Sequence, residues 1–332
     1  MALYNNADTE GLYAAEIVVV YEHLRKLYSA AWLIYQRSGG HPELKGDNHE
    51  SDFSDSTALS AEAIALRTVC PDPTHAEKLA LEELKDLILK RCPQVEMIVH
   101  LGTHPEPFTF YLLILTSNGD KTTEHELCNK IEDNCQYLAR VHAIVHKVNS
   151  AKESLNIGER FWSMVISRGI ILYQSEELVL PVVQEISRDL LLEGSRFNWE
   201  RWGLQGMDFL KGAERYITYN NFRLAAFLLH QSVESVLKGI IQAVIGYRVQ
   251  MHNISRLLSL SLLFTDELKN VFELNTAEGA KIFALLQNAY SQSRYNSTFD
   301  PDEESVRILL TLVKKLNHLA ERIYKQFIEA MN

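Results

Sequence analysis

The spacing of apolar residues changes along the chain, and this change of period restricts the fold more than any single motif. VEMIVHLG (95–102) and FTFYLLILT (108–116) are short β-prone runs around a THPEP turn, VHAIVHKV (141–148) is a third, and IILYQ follows Gly169 as a fourth. Between and before them lie helical stretches: Thr74 to Lys90, stopped by Pro93, then 124–139 and 158–169. Alternation of this kind predicts a small α/β domain. A charged connector leads to a segment that is helical throughout, with helices expected over 199–218, 221–245, 253–271, 276–292 and 303–330, hence a helical bundle. Asp300 is expected to cap the last helix, with Pro301 at its first position. Residues 9–37 read as one long helix, and 38–57 as a loop rich in Gly, Asp and Ser. The expected fold is therefore α+β. An N-terminal helix and loop (1–60) precede an α/β domain (61–180), which is followed by an all-α bundle (197–332).

Length and composition agree with two ordered domains. At 332 residues the chain exceeds the usual size of a single core, and 46% hydrophobic with 23% charged residues is the make-up of a globular protein. The formal charge of -10 is unevenly placed, because residues from Phe197 onward carry 15 Lys and Arg against 14 Asp and Glu. The acidic excess lies upstream, and the totals exclude a strongly basic nucleic-acid footprint while leaving room for a local one. Cys70, Cys92, Cys128 and Cys135 lack disulfide-framework or paired zinc spacing and are expected to be reduced thiols. No apolar run is expected to cross a bilayer, and the first residues lack a basic segment and a cleavage site. A cytoplasmic location is the expectation.

The stretch FRLAAFLLHQSVESVLKGII (222–241) has the apolar density of a buried helix, yet carries His230, Gln231, Glu234 and Lys238. Residues three and four apart share a helix face, so these four form one polar stripe. Two readings stand: a seam between helices or subunits with Glu234 paired to Lys238, or a groove in which Lys238 and Arg294 meet a phosphate.

Phe227, Gln231, Glu234, Leu237 and Lys238 on this helix, His252, Leu257 and Leu258 after it, and Tyr290, Arg294 and Tyr295 later form a pattern that resembles the HEPN domain, an α-helical bundle. The resemblance implies a nucleotide or RNA ligand, or a partner protein, and a homodimer. It makes His230, Gln231, Glu234, Lys238, His252, Tyr290, Arg294 and Tyr295 the candidate ligand-binding residues. The upstream domain is similar in element order to the minimal nucleotidyltransferase fold, whose glycine-serine position would correspond to Gly102 and Thr103. That family holds two magnesium ions on strand carboxylates. Here Phe110, Tyr111 and Leu112 occupy the expected positions, and VHAIVHKV has no acid either, so the resemblance implies a degenerate, inactive domain.

Many HEPN domains resemble ribonucleases with an arginine followed by a histidine four to six residues later. Arg294 is followed by YNSTFDPDEE, without histidine. Arg223 with His230, and Arg248 with His252, are the nearest pairs on the earlier helix and its loop. His142 and His146 share a strand face, but four strand residues span about 13 Å, too far to ligate one ion. Neither a phosphate-binding glycine loop nor a nucleophile elbow occurs. The expected function is thus a non-catalytic nucleotide- or RNA-binding regulatory protein without cofactor or metal. The alternatives are a ribonuclease acting through the bundle and a nucleotidyltransferase with displaced metal ligands.

Overall fold

The computed structural model describes residues 73–183 and 185–331. The helix expected over 9–37 and the loop over 38–57 lie outside the described residues, as does Cys70.

The α/β part begins with α1 (His75–Arg91), held at its start by reciprocal hydrogen bonds between Thr74 and Glu77. Strands β1 (Val95–Pro105) and β2 (Phe108–Thr116) form an antiparallel hairpin. Helix α2 (Glu124–Cys135), capped in the same way by Thr123 and Glu126, leads to β3 (Arg140–Lys147), which runs parallel to β2. Helices α3 (Val148–Asn156) and α4 (Arg160–Arg168) then lead to β4 (Ile170–Gln174), antiparallel to β1. The sheet order is β3-β2-β1-β4.

Strand β2 is buried on both faces, which is why FTFYLLILT is nearly continuous in apolar residues. Phe110, Leu112 and Ile114 pack into one core with Leu81 and Leu84 of α1 and Leu127 and Ile131 of α2. Tyr111, Leu113 and Leu115, on the other face, join a second core that continues without a break into the bundle.

The bundle comprises α5 (Arg188–Asn198), a π-helical turn (Trp199–Gly203) and α6 (Leu204–Thr218) in one continuous run. These are followed by α7 (Phe222–Ile245), α8 (Ile254–Ser261), the short α9 (Glu267–Asn270), α10 (Ala277–Tyr295) and α11 (Glu303–Met331). Helix α7 is the axis, in contact with α5, α6, α8, α10 and α11. It is also the one described helix long and apolar enough to cross a membrane, contrary to the expectation that no run qualifies, and 78% of its most apolar window is buried within the protein. Its length and hydropathy are those of a core helix surrounded by other helices.

Three local expectations are corrected. The connector before Trp199 contains a helix, α5, whose start is capped by Ser187. The helix expected over 253–271 is two, separated by a turn at Leu262–Thr265 whose backbone amides close onto Ser259, Leu260 and Ser261. The side chain capping α11 is Asp302, which accepts from the Ser305 amide at 2.8 Å, in place of Asp300.

The π-helical turn passes α7 closely enough to require glycine. A Cβ on Gly239 would lie 2.7 Å from the Gly203 backbone nitrogen. Gly239→Ala should therefore destabilise the fold by about 1–3 kcal/mol, an overpacking cost with backbone as the obstacle, read as a lower urea midpoint.

Candidate functional site

The polar stripe of α7 forms as the helical spacing predicts, and it closes around Glu234. Asn221 caps the start of the helix, and Gly246, with a left-handed φ of 75°, ends it. The loop after Gly246 returns His252 to the same face just before α8. Lys238 Nζ donates to Glu234 Oε1 at 2.7 Å, and His252 Nδ1 reaches the same oxygen at 2.8 Å. His230 Nδ1 bonds the Leu286 carbonyl at 2.9 Å, which leaves its Nε2 facing Glu234 Oε2 from 3.6 Å.

Burial alone would raise the Glu234 carboxyl. The facing His230 ring and the charges of Lys238 and His252 outweigh it and hold the pKa at about 2. Lys238 is buried with its ammonium 5.7 Å from the centre of the Trp202 ring. Its charge is neutralised by Glu234 inside the bundle, so the pairing reading of the stripe describes this residue. The Gln231 side-chain nitrogen is buried without a partner among the described residues.

Outward from the stripe the site becomes aromatic and cationic. Tyr290 of α10 lies against His230 (ring centroids 5.3 Å apart) and stacks on His252 (6.3 Å). Arg294, one turn on, donates to the Tyr290 hydroxyl at 2.8 Å, and its guanidinium carbon lies 5.1 Å from the Tyr290 ring centre and 5.2 Å from that of Tyr295. Tyr295 is 77% exposed and the His252 side chain 65% exposed. The arrangement is a buried ionic anchor beneath a patch in which His252 and Tyr295 are exposed and Tyr290 and Arg294 half-buried.

Gly102 and Thr103 are not part of it. They lie on β1 beside an irregularity in its pairing with β2, and the Thr103 hydroxyl bonds His100 at 3.1 Å. Phe110 and Leu112 fill the core beneath α1 and α2, while Tyr111 donates its hydroxyl to the Ser259 carbonyl at 2.8 Å. Among the described residues no three His, Cys, Asp or Glu side chains are close enough to hold a metal ion.

The other arginine and histidine pairs have separate partners. Arg223 donates to the Ser293 and Ser297 carbonyls at the end of α10, and Arg248 pairs with Glu159. Contacts that the sequence did not predict join the two parts of the molecule. Arg256 makes a two-pronged ion pair with Glu132 at 2.9 and 3.0 Å, and His104 meets Asp266 at 2.5 Å. His146 bonds the Tyr247 hydroxyl at 3.0 Å.

Two outcomes follow from these geometries. Glu234→Gln leaves a buried ammonium without its counter-charge and should cost about 3–5 kcal/mol by urea denaturation, whereas Glu234→Leu with Lys238→Met should cost far less. Acid should destabilise the protein in two stages. Burial lowers His100 to about 4 and His142 to about 3 from an ordinary 6.5, so the unfolded chain binds these protons first and stability falls as pH drops below about 6.5. The Glu234 contribution, present above 4.5, is lost as pH falls towards about 2. Thermal midpoints measured across this range check both stages.

Comparison with known proteins reaches the bundle most clearly. No curated protein sequence matches the chain. A solved nucleotidyltransferase-like protein from Exiguobacterium sibiricum is similar at 12% identity over 74% of this chain and 78% of its own, with a TM-score of 0.24. An archaeal HEPN homologue of known structure is similar at 20% identity over 38% of this chain and 96% of its own, with a TM-score of 0.28. Residues 199–323 match the HEPN domain family, so the C-terminal bundle is a HEPN-like domain.

Proposed function

We propose that the HEPN-like bundle is a non-catalytic binding module for RNA or a nucleotide, and that the upstream α/β domain is an inactive nucleotidyltransferase-like partner to it. The observation that carries this reading is Arg294. Its guanidinium lies against two tyrosine rings, it donates a hydrogen bond to a phenol, and no carboxylate of the described residues forms an ion pair with it. A cation held by stacking keeps its donors available for a phosphate, and an exposed tyrosine offers a surface for a base. Lys238, buried against Glu234, acts in this reading as part of the anchor that positions His252 and Tyr290.

The inactive reading of the α/β domain rests on Phe110, Tyr111 and Leu112, whose side chains lie in apolar cores or bond the bundle where magnesium would require carboxylates. A homodimer belongs to the same proposal, and light scattering at twice 38.0 kDa is its expected result.

A second reading has one observation in its favour. His252 is oriented through Nδ1 by a buried carboxylate, leaving Nε2 to exchange a proton, and this is the arrangement of a general base. The absence of a histidine from residues 295–304, directly after Arg294, weighs against it.

Fluorescence anisotropy with a labelled single-stranded RNA separates the readings. Arg294→Gln is expected to weaken binding about tenfold and to reduce its salt dependence, while wild type leaves the RNA intact. Cleavage by wild type that is abolished in a folded His252→Ala variant would establish the ribonuclease instead.

A further inference from the structure

A second site lies where the α/β domain meets the bundle. A cleft of about 690 Å³ opens between the starts of β2 and β3, helix α2, and helices α8 and α9, a volume within the usual range for small-molecule sites. Its position follows from the sheet register, which sets Thr109 beside Arg140 and Tyr111 beside His142. Arg256, Ser259 and Lys269 line it from the bundle side.

The charges in the cleft are unevenly matched. Arg256 is fully engaged, with both terminal nitrogens on Glu132 and one also on the Ala143 carbonyl at 2.8 Å. Glu132 in turn accepts from Arg256 and from the Ala143 amide at 2.9 Å, so it is committed as well. Arg140 and Lys269 line the same space, and neither forms an ion pair with a carboxylate of the described residues. The remaining lining acid, Asp133, is exposed. Asp266, beside Lys269 on the bundle, faces His104.

The third observation is independent of these charges. His142 also lines the cleft, is 7% exposed, and its Nε2 has no hydrogen-bond partner among the described residues. Its ring packs against Tyr111 with centroids 5.3 Å apart. Buried polar atoms in folded proteins are almost always satisfied, so an unpartnered one on a residue in the wall of a polar cleft marks the place of a missing partner.

We propose that this cleft binds the phosphate group of a small molecule, either free phosphate or a phosphomonoester, between Arg140, Lys269 and the His142 ring. Two cations and one neutral imidazole donor match the acceptor oxygens of a phosphate, and charge-assisted bonds of this kind are strong. Burial and the neighbouring Arg140 lower the Lys269 pKa, and the Asp266 carboxylate opposes them without reversing the shift. The site is separate from the Arg294 patch, and neither depends on the other.

Isothermal titration of the full chain in the presence of a chelator tests the proposal, with inorganic phosphate, ribose 5-phosphate, AMP and, as the uncharged control, adenosine. Saturable binding is expected for the phosphate-bearing probes and none for adenosine. Equal affinities for phosphate and AMP would identify the free anion as the ligand, and tighter AMP binding a phosphomonoester. Arg140→Gln with Lys269→Gln should weaken binding at least tenfold, whereas Lys211→Gln, a change at an exposed residue of α6, should leave it unchanged. Should the double variant fail to fold, Arg140→Gln alone changes an exposed side chain and should still weaken binding severalfold. Failure of every phosphate-bearing probe to bind, or undiminished binding to the folded variants, would overturn the proposal.

Discussion

Helix α7 is enclosed by the rest of the bundle, and the requirement that its polar row be satisfied from within shapes everything around it. A buried carboxylate is tolerated only with charge and hydrogen bonds close by. Glu234 obtains them from Lys238 one turn on and from His252 in the following loop. Two further buried polar groups are met from other helices: His230 by the Leu286 carbonyl and Ser232 by the Asn317 side chain at 3.0 Å. These bonds fix the rotation of α7 about its own axis. They also hold His252 and Tyr290 in register, so the exposed patch inherits its geometry from a buried ion pair.

The same economy of partners joins the two halves of the molecule. The bundle-facing side of the sheet contributes Met97, Val99, Tyr111, Leu113 and Leu115 to the core that α7 occupies. At its margins the polar contacts Arg256 to Glu132, His104 to Asp266, Tyr111 to Ser259 and His146 to Tyr247 close the junction. Apolar burial favours the association, while directional bonds at the edge select one docking orientation. The cleft beside Arg140 is the part of this junction that side chains do not fill.

Much of the architecture was legible in the sequence because it rests on local pattern. Strand β2 is apolar without interruption because both its faces are covered, and α7 announces itself by length and apolar density. Helices α3 and α5 escaped because they are short, 9 and 11 residues, and α5 lies in a stretch rich in charge. Asp300 and Asp302 bracket Pro301, and only side-chain geometry distinguishes which of them caps α11. The Glu234 and Lys238 pair was legible from a spacing of four. His252 and Tyr290 joined the reading through family resemblance. The cleft was not legible at all, since Arg140, His142, Arg256 and Lys269 come from segments brought together only by the docking of the two domains.

The central claim is that the buried network exists to present the aromatic and cationic patch to a nucleic-acid ligand. Ultraviolet crosslinking of the full chain to a single-stranded RNA, followed by mass spectrometry of the peptides, tests it most directly, because tyrosines in stacking contact with a base are the ones that crosslink. The account predicts crosslinks at Tyr290 or Tyr295 that disappear when excess unlabelled RNA competes. Specific crosslinks confined to the α/β domain, or none above background under binding conditions, would contradict it.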